Sequence, residues 1–235
     1  MSITNSPTTA IIPAHNEAET IGNVLKILSQ VDCLSEIIVV DDGSTDHTVE
    51  EVQMMTAVDP RIRVLVHSTN LGKGQAIFSG WRASQSKNLL MLDSDLMGLK
   101  DQHVLDLIRP VMEGRVDMTI GQFKKGYWRT DLAHWATPWL SGQRCLRGEL
   151  LQQISSAAAS GYGIETALTV AAQEQGWRCE RVSMLGVWHP TSENRLGFFR
   201  GLGKRALMYT QIIRAWYLAG GLRRMLGLRR RSLRY

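Results

Sequence analysis

The sequence predicts an α/β fold, a mostly parallel sheet flanked by helices. Three observations predict it. Strand-like and helix-like runs alternate as βαβαβαβ through the first half of the chain. The runs IIVV at 37–40 and LLML at 89–92 are continuously apolar, as in strands covered on both faces. Each strand-like run is followed by a polar loop, and in an open parallel sheet ligands bind at those carboxyl ends.

The elements follow in order. TTAIIPA at 8–14 is rich in β-formers and runs to Pro13. Residues 18–31 place Ile21, Val24, Leu25 and Leu28 at helical spacing. EIIVVDD at 36–42 is a short strand stopping on two acids. Residues 44–58 open on the cap-type Ser44, Thr45 and Asp46 and then turn helical. RIRVLVH at 61–67 is a third strand, GKGQAIFSGWRAS at 72–84 a glycine turn and helix, and NLLMLDSD at 88–95 a fourth strand ending in acids.

The second half is less regular. HVLDLIRPVMEG at 103–114 predicts a helix stopped by Pro110 and Gly114, and VDMTIGQF at 116–123 a strand. Residues 148–157 and 163–176 read as helices, and 178–189 as a strand pair or one long edge strand. From Leu196 onward the chain reads as basic helix. The expected division is an α/β domain over 1–194 and a basic helical extension over 195–235.

Charge is unevenly spread. The net charge is +5, from 27 Lys and Arg against 22 Asp and Glu. Residues 195–235 hold eleven of the basic residues and no acid, which leaves the other 194 residues acidic on balance. A phosphorylated acceptor, an anionic lipid surface or a nucleic acid each suits such a tail, and so does a merely solvated helix face. Cys33, Cys145 and Cys179 are far apart and form no CxxC pair, which argues against a disulfide framework or a finger-type zinc site. No secretory leader is evident, and the most apolar stretch, 206–222, carries Arg214 and is too short to span. A cytoplasmic protein is expected.

Four loops carry the chemistry. They are Pro13-Ala14-His15-Asn16-Glu17, Asp41-Asp42-Gly43-Ser44, Asn70-Leu71-Gly72-Lys73-Gly74 and Asp93-Ser94-Asp95. In extended backbone Asp93 and Asp95 point the same way, and two carboxylates on one side suit Mg2+ or Mn2+ bridging phosphate oxygens. A solvated turn is the plain alternative. Asp42 can accept from ribose or base, or cap a helix with its neighbours. Lys73, between two glycines at a helix start, is placed to meet a phosphate or to be an ordinary turn lysine. No P-loop pattern GxxxxGK[ST] is present. His189, after SMLGVW, is a lone histidine whose usual role is packing.

IIPAHNE, VVDDGSTD, NLGKG and LDSD, in this order and spacing over roughly 8–122, resemble the family 2 glycosyltransferases of the GT-A fold. GKGQAI, LDSDL, PWLSGQRCLRGELL, GYGIE and GVWH are similar to glucosyl-3-phosphoglycerate synthases and related mannosyl enzymes. That resemblance implies a Rossmann-like sheet, a UDP- or GDP-sugar donor, Mg2+ or Mn2+, and a small anionic acceptor. It implies that Pro13, Ala14, Asn16, Glu17, Asp42, Gly43 and Lys73 hold the nucleotide diphosphate and that Asp93 touches ribose or sugar. Asp95 and His189 would bind the metal. Ser141, Gly142, Gln143 and Arg144 would line the acceptor pocket, and Gly161, Tyr162, Gly163 and Glu165 the sugar-facing wall. Catalysis would fall to Glu165, Asp95 and Lys73.

The chain is shorter than typical phosphoglycerate-glucosylating enzymes. The loop with Lys124, Lys125, Tyr127, Trp128 and Arg129 is a further candidate for a phosphorylated acceptor. Dolichyl- and polyprenyl-phosphate sugar transferases share the first-half motifs and form the alternative reading, in which the tail lies on an anionic membrane surface. A nucleotidyltransferase would share the sheet and metal logic but release pyrophosphate, and a degenerate binding module would be expected to lose its acids. A homodimer is compatible with the resemblance, and nucleic acid is not an expected partner.

Overall fold

The computed structural model describes residues 7–124, 141–154 and 163–190. Seven strands form one sheet. β1 (Thr8–Ala14), β2 (Leu34–Asp41), β3 (Ile62–Val66) and β4 (Asn88–Met91) are linked by α1 (Ile21–Leu28), α2 (Thr48–Thr56) and α3 (Lys73–Ala83). α4 (Asp101–Met112) leads to β5 (Met118–Lys124), then β6 (Arg144–Arg147), a 3-10 turn at Gly148–Gln153, α5 (Gly163–Gln175) and β7 (Cys179–Leu185). The spatial order is β3-β2-β1-β4-β6-β5-β7. All neighbours are parallel except β6, which runs antiparallel to both β4 and β5.

The side-chain period of two divides the core between the faces of the sheet. Ala10, Ile12, Ile37, Val39 and Leu90 pack with Val24, Leu25, Leu28, Val104 and Leu107. Ile11, Ile38, Val40, Leu89 and Met91 pack with Ile77, Phe78, Ile164 and Leu168 on the other face. Thus α1 and α4 cover one side and α3 and α5 the other. α3 approaches closely: a Cβ on Gly80 would sit 2.6 Å from an Ile11 methyl.

Three sequence expectations shift. Pro110 does not stop α4; it lies inside the helix, which runs on to Met112. There it removes only one late intrahelical bond, and Arg115 N–H still donates to the Pro110 carbonyl. The 148–157 segment is a 3-10 helix over its described part rather than an α-helix. β6 is a strand that the residue pattern of 144–147 does not predict. β7 is a single edge strand, followed by a separate bridge from Trp188 to Met97. No helix among the described residues is long and apolar enough to cross a membrane. The loop at 125–129, Gly161, Tyr162 and the basic tail at 195–235 lie outside the described residues.

Candidate functional site

The carboxyl ends of β1, β2 and β4 open on the same rim, and the antiparallel β6 begins there. β6 pairs Met91 with Arg144, so the turn before it, Ser141-Gly142-Gln143, lies beside Asp93.

On the β1–β2 side the loops are knit to one another. Asn16 adopts a left-handed φ of 57°, a region that asparagine tolerates better than most residues. Its N–H donates to Ser44 Oγ at 2.9 Å and its Oδ1 accepts from Thr45 N–H at 2.8 Å. Glu17 N–H donates to Thr48 Oγ1, and its carboxylate accepts from Thr20 Oγ1. Gly43 has φ 70°, and a Cβ there would meet the Thr69 carbonyl carbon at 2.7 Å, so only glycine lets this loop cross the 69–70 backbone. Pro13 and Ala14 are buried in the last two ladder positions of β1.

Asp42 is buried and already engaged. Its carboxylate accepts from Leu71 N–H at 2.9 Å and Gly72 N–H at 2.7 Å, and lies 2.8 Å from His67 Nδ1. It therefore anchors the turn that launches α3. The next residue, Lys73, reaches the opposite way: Nζ lies 2.5 Å from Asp93 Oδ1 and 2.6 Å from Glu165 Oε1. One turn of chain thus connects the β2 loop to the acidic corner.

In that corner Asp93 also accepts from Gln143 Nε2 at 2.7 Å. Burial alone would raise its pKa, but Lys73 first, then His189 and the two hydrogen bonds, bring it down to about 2. Burial would likewise depress the Lys73 ammonium; Asp93 and Glu165 more than offset this and hold it above the ordinary lysine value. Gly142 is part of the same contact set, since a Cβ there would lie 2.5 Å from Lys73 Nζ and 2.8 Å from Asp93 Oδ1. Glu165, at the start of α5, is buried, and its Oε2 has no hydrogen-bond partner among the described residues.

His189 completes the corner, although 94 residues separate it from Asp95. Its Nδ1 lies 2.8 Å from Asp95 Oδ1 and its Nε2 3.6 Å from Asp93 Oδ2. It is delivered by the backbone pair Met97–Trp188, which exchanges two hydrogen bonds of 2.9 and 3.1 Å, and its ring stacks edge-on against Phe123 at 5.0 Å. One ligand atom from each of Asp93, Asp95 and His189 falls within 4.8 Å of the others. Two carboxylates and an imidazole in that space form a donor set that fits Mn2+, or Mg2+ with water filling the remaining positions.

The structure therefore gathers Lys73, Asp93, Asp95, Gly142, Gln143, Glu165 and His189 at one corner, and Asn16, Glu17, Asp42 and Gly43 in the adjoining loops. Ser141 is half-buried and hydrogen-bonds Gln143, while Gly163 is buried at the start of α5. Arg144 is fully buried, with its guanidinium turned into the protein. The bonds tying Lys73 to both Asp93 and Glu165 had no sequence signal, since they join three distant segments.

The model of glycosyl transferase family 2 matches residues 9–164. The chain belongs to glycosyl transferase family 2. An undecaprenyl-phosphate mannosyltransferase of Micrococcus luteus is 27% identical over 248 residues, covering 93% of this chain and 98% of that protein. The glycosyltransferase AglD of Haloferax volcanii is 32% identical over 119 residues, 47% of this chain and 19% of its own length. The chain spans between 19 and 33% of the length of the first three such relatives. Among solved structures, glucosyl-3-phosphoglycerate synthase from Mycobacterium tuberculosis superposes with a TM-score of 0.74 at 23% identity, covering 92% of this chain and 80% of that one. That likeness establishes the GT-A fold.

Proposed function

We propose that the protein transfers a hexose from a UDP- or GDP-sugar to a small phosphorylated acceptor such as 3-phosphoglycerate. The observation that carries this reading is the corner in which Asp93, Asp95 and His189 converge beside Lys73 and Glu165. A divalent cation bound by Asp95 and His189 would offset the charge that builds on the departing diphosphate. Lys73 adds a fixed cation beside it, and Asn16, Glu17, Asp42 and Gly43 shape the loops against which the nucleotide would rest. The bond between the anomeric carbon and the diphosphate oxygen breaks, the nucleoside diphosphate leaves with the electron pair, and the acceptor oxygen bonds to the carbon. If configuration is retained, Glu165 would hold sugar hydroxyls and the acceptor proton would pass to the departing diphosphate oxygen; if it inverts, Glu165 would take that proton. The Mycobacterium tuberculosis enzyme has been solved with Mn2+, UDP-glucose and phosphoglyceric acid, which supports both donor and acceptor class.

A second reading places the sugar on a polyprenyl phosphate. The mannosyltransferase of Micrococcus luteus, matched over almost its whole length, favours it. The basic tail would then rest on an anionic membrane surface.

The test is turnover of UDP-glucose and GDP-mannose with Mn2+, first alone, then with 3-phosphoglycerate and with undecaprenyl phosphate in vesicles. Release of a nucleoside diphosphate with sugar on one acceptor is expected. Release of pyrophosphate, or no turnover of either donor, would refute the proposal.

A further inference from the structure

Among the described residues Arg144 is the largest fully buried side chain, and what it holds together is specific. Nε donates to the Ser141 carbonyl at 2.9 Å, bracing the turn that supplies Gly142 and Gln143. Nη2 donates to Thr169 Oγ1 at 3.0 Å, and that hydroxyl donates in turn to the Glu165 carbonyl at 2.8 Å. A guanidinium can only donate, so it fixes the Thr169 proton toward Glu165. Glu165 then meets Lys73 at 2.6 Å, and Lys73 and Gln143 both meet Asp93. The two arms of Arg144 therefore close a loop: turn, Gln143, Asp93, Lys73, Glu165, Thr169 and back.

We infer that Arg144 is a positioning residue, a buried clamp that sets the spacing between the Ser141–Gln143 turn and Glu165 and so fixes Lys73 between its two carboxylates. The inference rests on the proposed glycosyl transfer at this corner. An isolated buried cation is costly, and filling the same space would need only an aliphatic side chain. Burial does push the guanidinium down, to about 10, while the Glu165 charge acts to keep it protonated. A planar fork spans two directions at once, which a lysine ammonium on a single stem does not reproduce.

The experiment compares Mn2+-dependent UDP-glucose and GDP-mannose turnover in wild type, Arg144→Met, Thr169→Val and the double variant, with melting temperatures as a check on folding. A misplacement of reacting groups by about 1 Å lowers kcat roughly 100-fold, so kcat should fall about 10- to 100-fold in Arg144→Met with donor KM little changed. Thr169→Val should fall in the same direction, and the double variant should be no worse than Arg144→Met, because both act through one chain of bonds. Unchanged kcat in Thr169→Val, or additive losses in the double variant, overturns the inference. Should Arg144→Met not fold, Arg144→Lys replaces it, with the same expected loss. Crystal structures of the variants read the geometry without turnover. Separation of Glu165 from Lys73 beyond about 4 Å, past salt-bridge range, supports the clamp; retention of the wild-type contact contradicts it. Absence of turnover in wild type would count against the proposed function alone and would leave the structural readout to decide the role of Arg144.

Discussion

His189 Nδ1 lies 2.8 Å from Asp95 Oδ1, and the two residues are held there by one backbone bridge, Met97 to Trp188. Burial alone would depress the imidazole. The Asp95 hydrogen bond and the charges of Asp93 and Asp95 outweigh it and hold the His189 pKa above its ordinary value. In the metal-free protein a raised folded-state value means that protonated His189 stabilises the fold. That contribution is complete below about pH 6.5, the unfolded value, and is lost as pH rises through the folded value. His189→Gln should therefore lower the metal-free Tm more at about pH 5.5 than at about pH 9. A Tm difference that is flat with pH would contradict this. Mn2+ binding should show the opposite trend, strengthening as the proton leaves.

Gly142→Ala probes the tightest part of the corner. The new methyl would press on Lys73 Nζ and both Asp93 oxygens, at 2.5 to 2.9 Å. These are side-chain ends, so the fold should survive with little change in Tm. The displaced pair should lower kcat by about 10- to 100-fold. Full activity with an unchanged melting curve would contradict the geometry.

Gly98→Ala acts at a distance from any ligand atom. Gly98 has φ 71°, and a Cβ would run into the Gly186 carbonyl, at the base of the segment carrying His189. A loss of about 1–3 kcal/mol in unfolding free energy is expected. Weaker Mn2+ binding should accompany it, measured by calorimetry. Stability loss with unaltered Mn2+ affinity would show that His189 is positioned by something other than this bridge.

Asp42→Asn tests the link between the β2 loop and α3. An amide keeps one acceptor but cannot serve both Leu71 N–H and Gly72 N–H while facing His67. UDP affinity should fall about tenfold, a cost of roughly 1.4 kcal/mol, within the range for a lost charge-assisted hydrogen bond. Equal UDP binding in both proteins would assign Asp42 to folding alone.

The first four strands and their helices were legible because their signals are local. Ile21, Val24, Leu25 and Leu28 recur at helical spacing and are the buried face of α1. β6 was not legible: four residues, Arg-Cys-Leu-Arg, form a strand only because β4 and β5 pair with them from both sides. The Asp93–Asp95 pair could be read from the strand it ends. His189 could be singled out only through the family resemblance, since its approach depends on a two-residue bridge made 91 residues apart in sequence. Asp42 illustrates a third case. Its residue type suited ligand binding or helix capping, whereas its carboxylate accepts from the backbone of a turn that no propensity rule connects to it.

In the proposed reaction Asp95 and His189 would hold the cation that grips the donor diphosphate. Calorimetric titration of Mn2+ into wild type, Asp95→Asn and His189→Gln, each in the presence and absence of UDP, tests it most directly. Mn2+ and UDP should strengthen each other's binding in wild type, and either substitution should weaken Mn2+ at least tenfold and abolish that coupling. Identical Mn2+ affinity and coupling in all three folded proteins would show that Asp95 and His189 do not hold the cation.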